Sequence, residues 1–429
     1  MNVARKTFTL IARTLTVLAL CSSIHAAIAA DAKQTVRPEL GKPLQAAQAA
    51  LQAKKYDEAA NDLATAEKVG NLTPYEKYVI TRLHASVALG KGDYKGAAGY
   101  YDSLLASGQL PPADQLQTLE ILAKLNYSAK DFPKTVDAIQ RYKAAGGKDA
   151  ATLSILPQAE YLAGKYADAA RDLTAQVSAM EAAGQAPTET QLQLLASCAL
   201  KQNDMPGYAT ALEKLVTYFP KPDYWLDLIA RTAGRPGFTD KLSLDLDRLR
   251  MRTGTFRNAS EYLEATELAV QAGYPGEADS FLKAGYAQKV LGTGNPADID
   301  RQKRLQDLVD KKIAADKATL AQGATQAASM PTGDGLVNTG FAYVTYGQAD
   351  KGLPLMQQGL TKGGLKNPDI AKLHYGYALL IAGKKDDALK AFQDVKGTDG
   401  SKDVARLYGI SARSSAASAK PAAAGKPTK

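Results

Sequence analysis

The feature that most constrains this chain is a turn that returns nine times at nearly one interval. It reads AKKYDEAANDL around Tyr56, KGDYKGAAGYY around Tyr94, AKDFPKTVDAI around Phe132 and AGKYADAARDL around Tyr166. QNDMPGYATAL around Met205, GRPGFTDKLSL around Phe238 and AGYPGEADSFL around Tyr274 continue the series. YGQADKGLPLM around Ala349 and AGKKDDALKAF around Lys385 complete it. The first seven anchors lie 38, 38, 34, 39, 33 and 36 residues apart; the next gap, 75, spans two periods, and the last is 36. A period of this length marks stacked repeats, in which no unit can bury its apolar face alone.

Within a period, a small or polar turn leads to the anchor, then to a residue three positions on that is usually Ala. An apolar residue follows about four later, as in Ala97 and Tyr101 or Ala388 and Phe392. Those spacings share one helical face. Each turn is preceded by another apolar-periodic segment, such as TPYEKYVITRLHASVALG, so every period predicts helix, turn, helix. Thr73-Pro74-Tyr75-Glu76 and the pair Thr188 and Gln191 carry the pattern of reciprocal N-caps, and Asn295-Pro296 and Asn367-Pro368 that of cap-plus-proline starts. No alternating Val/Ile/Thr run predicts a sheet. The expected fold is all-α. In GDYKGAAGYY, Tyr94 is expected to plug the joint, with Gly96 and Gly99 allowing close helix contact.

This pattern resembles the tetratricopeptide repeat. Gly92-Asp93-Tyr94-Lys95-Gly96-Ala97 and Gly164-Lys165-Tyr166-Ala167-Asp168-Ala169 match its turn, and Gly340 and Gly376 match the small residue of its first helix. Pro220 closes a repeat as the family does. The resemblance covers most of residues 38–400, although Thr135, Tyr208 and Gly352 replace the expected Ala. It implies an α-solenoid wound as a right-handed superhelix, whose concave groove is lined mainly by first helices.

Five segments are expected. Residues 1–29 have a basic lead (Arg5, Lys6, Arg13), an apolar stretch and Ala27-Ile28-Ala29, the layout of a secretory signal peptide. Residues 38–291 form an N-terminal repeat array. Residues 296–329 lack a turn and predict a long charged helix or an eroded repeat. Residues 332–411 form C-terminal repeats, and 412–429 is expected to be a disordered Ala/Ser/Lys/Pro tail with nothing to bury. The net charge of +9 includes three basic residues of the leader and four of the tail, which leaves residues 31–411 near neutral. A near-neutral body lacks the charge density of a nucleic-acid groove.

Catalytic signatures are missing from the sequence. Past the leader only His84 and His374 remain, far apart and read as packing or surface residues, and Cys198 sits in the apolar context QLQLLASCALKQ and reads as core. Gly292-Thr293-Gly294-Asn295-Pro296-Ala297 fits the loose dinucleotide pattern but stands between helices, where that chemistry needs a strand. Asp386-Asp387 and the pair Asp245 and Asp247 read as solvated carboxylates. The expectation is a non-enzyme with no cofactor and no metal.

Binding is what remains. Aligning the repeats places Arg82, Lys124, Tyr127, Gln158, Tyr161 and Gln193 toward the groove, with Phe341 and Tyr377 in the C-terminal repeats. Arg, Lys and Gln would pair with a peptide's carboxylates and backbone, and the aromatics would supply anchor area. A narrower resemblance lies in YFPKPDYWLDLIARTAG and EYLEATELAVQAGYPGEADSFLKAG, which are similar to exported repeat proteins accompanying TonB-type energy transduction. It implies an envelope protein as partner. On packing alone, Trp225 and Leu228 belong to the core of a first helix. The expected function is an exported, periplasmic scaffold or adaptor for protein or peptide. Two alternatives stand beside it: an assembly factor tethered to the outer membrane through lipidated Cys21, which Leu20 argues against, and a cell-wall enzyme with a hidden polar cluster.

Overall fold

The computed structural model describes residues 35–417. The leader with Cys21, and the tail beyond Ala417, lie outside the described residues. Among the described residues there is no strand: the chain is all helix and turn, and consecutive helices pack in pairs. Two compact units divide the described residues: the first runs to Gln185 and takes in Ser197–Asp204, and the second comprises Ala186–Ala196 and the helices from Met205 onward.

The first unit contains α1 (Pro38–Gln52), α2 (Tyr56–Glu67), α3 (Pro74–Gly90), α4 (Tyr94–Ala106), α5 (Pro112–Ser128) and α6 (Phe132–Ala144). It continues with α7 (Ala150–Ser154), α8 (Leu156–Leu162) and α9 (Tyr166–Ala182). Then comes α10 (Glu189–Lys201), whose last residues pack with the first unit. The second unit holds α11 (Met205–Tyr218), α12 (Pro222–Ala233), α13 (Ser243–Thr253), α14 (Ala259–Gln271) and α15 (Pro275–Ala287). After these come α16 (Pro296–Ser329), α17 (Asp334–Thr345), α18 (Ala349–Lys362), α19 (Pro368–Ile381), α20 (Lys385–Gln393) and α21 (Ser401–Ala417). The division thus falls within 185–205, whereas the sequence pattern suggested 296–329. That segment is one 34-residue helix, α16, which packs against both α15 and α17 through Gln302, Val309, Leu320 and Ala327.

The period has a backbone cause. In eight of the nine recurrences the first helix ends on a left-handed residue: Lys54, Gly92, Lys130, Gly164, Asn203, Gly273, Gly347 or Gly383, with φ between 56° and 81°. In each, the next N–H donates to the carbonyl five residues back, as from Asp93 to Ala88 and from Lys384 to Leu379, both 2.9 Å. This is the Schellman cap, which satisfies the orphan carbonyls of a helix end and fixes the exit direction. The ninth recurrence, at Phe238, puts Pro236 two residues before the anchor, where the left-handed residue stands in most of the others. Proline is locked near φ −65° and cannot take it; the left-handed residue of this recurrence is Gly237, φ 85°, which lies within a longer loop.

Capping follows the sequence pattern with one exception. Thr73 and Glu76 cap each other, and so do Thr188 and Gln191. Asn295 accepts from Asp298 N–H at 2.9 Å. Asn367 makes no cap; its side chain instead accepts from Lys241 Nζ at 3.2 Å.

Tyr94 does not plug its joint: it is 38% exposed at the start of α4. The close approach is one repeat earlier, where the Tyr56 ring covers Gly90 so tightly that a Cβ would fall inside it. Gly376 makes the same room for Phe392, and Gly340 faces the carbonyl of Gly352. Gly96 lies against the Asp93 cap, while Gly99 has open space beside it, so only the former is tight.

The second unit closes on itself through α21, which packs on α19 and α20 and also on α11 and α13. The helix enters the stretch read as a tail: Ala412 and Ser414 are buried, and Ser414 Oγ donates to Val216 O at 3.1 Å. Small side chains allow close helix approach, and hydroxyls satisfied by backbone carbonyls cost little to bury. Composition alone does not register that arrangement.

Candidate functional site

The left-handed residues give a common register for the first helices. Lys124 on α5 and Gln158 on α8 stand six before theirs, Tyr127 and Tyr161 three before, and Arg82 on α3 and Gln193 on α10 ten before. All six are half-buried. Tyr127 meets Phe132 edge-on at 5.8 Å and Tyr161 meets Tyr166 at 5.3 Å, so neighbouring repeats hold an aromatic pair in one repeated geometry. Burial pushes the Tyr127 hydroxyl up from its ordinary value. Lys124 is held by Glu120 at 2.5 Å, and the Arg82 guanidinium lies 5.9 Å from the centre of the Tyr78 ring. Gln193 packs with the second unit and donates to Tyr224 Oη at 2.5 Å. In the first unit, five of the named residues therefore line one set of first helices as partly exposed aromatic, amide and basic groups.

The second unit treats the same register differently. Phe341 on α17 and Tyr377 on α19 stand six before Gly347 and Gly383, matching Lys124 and Gln158, yet both are buried. They pack on Arg248 of α13, whose guanidinium lies 4.8 Å from the Phe341 ring centre, 5.5 Å from Tyr377 and 5.6 Å from Tyr274. Arg248 donates twice to Glu277 of α15, both at 2.7 Å, and to Asp245 at 2.8 Å. His374 Nε2 reaches Asp245 at 3.2 Å, and Tyr408 of α21 donates to the Asp245 carbonyl at 2.8 Å. The chain's own helices α13 and α21 occupy this face.

The electrostatics follow from burial and pairing. Burial alone would raise Asp245, but His374 and Arg248 outweigh it and hold the carboxyl below its ordinary value. Burial would lower Arg248, yet Glu277 and Asp245 drive it well above. The Tyr377 and Tyr408 hydroxyls are pushed up by loss of water. Asp245 and Asp247 are thus not solvated as their sequence context suggested: Asp245 is fully enclosed, and burial raises Asp247 to about 6 against the pull of Arg250. Asp386 and Asp387 are exposed.

Other sequence-level residues fall into place as packing. Trp225, Leu228 and Cys198 are buried. His84 stacks on Tyr100 at 5.2 Å and pairs with Glu67. Gly292 lies in the α15–α16 linker, where its N–H donates to Gln302 at 2.7 Å. Among the described residues no group of three or more His, Cys, Asp or Glu is placed to hold a metal, and no helix is long and apolar enough to cross a membrane. Arg248 and Glu277 escaped the sequence reading because nothing local marks them.

No protein-family model matches the chain, and no curated protein matches it. Among solved structures it is similar to yeast Tom70, at 13% identity over 88% of this chain and 96% of that one, with a TM-score of 0.23. It is also similar to the TPR domain of P58(IPK), at 13% identity over 89% and 99%, with a TM-score of 0.22. Scores this low leave the fold resting on the helix pairs and their caps.

Proposed function

We propose that the chain is a non-enzymatic helical-repeat scaffold that binds an extended protein or peptide segment along the first helices of its N-terminal unit. The observation that carries this reading is the contrast between units. Lys124 and Gln158 keep part of their surface toward solvent, as do Tyr127 and Tyr161 one turn on, whereas Phe341 and Tyr377, which stand in the register of Lys124 and Gln158, are buried against Arg248. Rigid aromatics lose little entropy on binding, and amide and basic groups suit a peptide backbone and its carboxylates. The leader-like first 29 residues support an exported, periplasmic scaffold, and the segment around Trp225 supports a partner in a TonB-type envelope system.

A photo-crosslinking residue at Gln158, used in native envelopes, tests the surface. Adducts that disappear in a Tyr127→Ala/Tyr161→Ala variant of unchanged helicity are the expected result. Adducts indifferent to that change place the binding surface elsewhere. Mass spectrometry of the mature N-terminus tests the address: a free Ala30 or Asp31 fits export by cleavage, and a lipid on Cys21 fits a tethered assembly factor instead.

A further inference from the structure

Glu160 on α8 is a buried carboxyl in the first unit with no hydrogen-bond partner in the protein. It stands four residues before its left-handed residue, a position filled elsewhere by Ala50, Ala88, Asn126 and Ala199, all buried. Glu160 is itself 1% exposed, and neither carboxyl oxygen accepts a hydrogen bond from the protein. The groups that act on it are Asp168, Asp172 and Arg171 from α9 and Lys143 from α6, two of the helices packed against α8, the short α7 being another. From α10 it faces Cys198, whose thiol is pushed up to about 11 by burial and then by the Glu160 charge. Cys198 belongs to Ser197–Asp204, the short segment that returns to pack on the first unit and is tied there by Gln202 Nε2 donating to Tyr166 O at 3.3 Å.

A buried carboxyl with no donor, whose acidic neighbours Asp172 and Asp168 outweigh Arg171 and Lys143, favours its neutral form, because an ionised one would lose its hydration with little compensation. We propose that Glu160 is a pH-sensitive lock on the last joint of the first unit: neutral, it lets residues 197–204 seat against α8 and α9, and ionised, it releases them. Burial, followed by Asp172 and Asp168, raises the group to about 7, which puts the transition within the range an exported protein meets. Release exposes the carboxyl to water, where it ionises at its ordinary value. Opening therefore becomes easier as pH rises from that value toward 7 and levels off above it.

Hydrogen–deuterium exchange of the full chain at pH 5 and pH 8 tests the lock, comparing wild type with Glu160→Gln. The variant cancels the intrinsic pH dependence of exchange and keeps the shape of the side chain. The ratio of wild-type to variant exchange for residues 197–204 is expected to be on the order of fifty- to a hundredfold larger at pH 8 than at pH 5. A ratio equal at both pH values overturns the proposal. If the variant fails to fold, wild type carries its own control: amides of 197–204 are expected to gain exchange relative to those of α2 as pH rises. Parallel behaviour of the two segments also overturns it.

Discussion

Arg248 and Glu277 join α13 to α15 through two hydrogen bonds of 2.7 Å, with both side chains cut off from solvent. Around this pair the second unit gathers Asp245, His374 and four aromatic rings, and α21 seals the arrangement from the other side. Where both ions are buried, the pair matters less for what it adds than for what remains when one partner goes. Glu277→Ala leaves a guanidinium with only Asp245 and is expected to destabilise the second unit by about 3–5 kcal/mol. Urea unfolding followed by exchange of α14 and α15 amides measures it. A loss below about 1 kcal/mol would show that water or Asp245 replaces Glu277.

Two glycines in the paired helices α3 and α4 give opposite predictions. Gly99 in α4 has open space where a Cβ would go, so Gly99→Ala is expected to stabilise by about 1 kcal/mol through helix propensity alone. Gly90 ends α3 beneath the Tyr56 ring, and Gly90→Ala must displace that ring, costing about 1–3 kcal/mol despite the same propensity gain. Thermal unfolding of the two variants should move in opposite directions. Equal shifts would refute the close approach at Gly90.

How much of this was legible in the sequence depends on how local its cause is. The joints were readable because each needs a left-handed residue, and Gly92, Gly164, Gly347 and Gly383 announce it; even the failure at Pro236 has a single-residue cause. Lys54, Lys130 and Asn203 do the same work with side chains that do not advertise it. The Arg248 cluster was unreadable, since Glu277 lies 29 residues away and Tyr408 reaches Asp245 across 163. Phe341 and Tyr377 share the first-helix register of Lys124 and Gln158, but only tertiary closure shows that Arg248 already covers that face. The end of α21 was hidden for a related reason: Ala412 and Ser414 look like tail until a neighbouring helix is close enough to bury them.

The N-terminal cap carries an acid-sensitive element. Arg37 bonds Glu76 at 2.9 and 3.0 Å, and the Thr73 and Arg37 backbone N–H groups also donate to that carboxylate. The Arg37 hydrogen bond leads in holding Glu76 down to about 2, against the opposing effect of burial. A depressed carboxyl stabilises the fold above its ordinary pKa and loses that contribution as pH falls toward 2. Glu76→Gln is expected to cost about 1–3 kcal/mol at pH 7 and nearly nothing at pH 2. Denaturant midpoints across that range provide the check, and a cost independent of pH would mean the charge contributes nothing.

Finally, α21 can be a structural seal or a ligand that the second unit holds in its own groove, and removing residues 401–429 separates the two. Val404, Leu407, Tyr408 and Ile410 are buried, and each contributes about 1.5–3 kcal/mol relative to exposure. Their sum approaches the whole stability of an ordinary domain. Removing α21 also uncovers the rings packed on Tyr408, Tyr377 at 5.3 Å and Phe392 at 5.5 Å. The expected outcome is loss of exchange protection throughout α13 to α20 while α1 to α6 stay protected. If the shortened chain keeps its second unit folded and binds a synthetic peptide of residues 399–417 in trans, α21 is a displaceable occupant. The face containing Tyr377 and Phe392 then becomes a second binding surface.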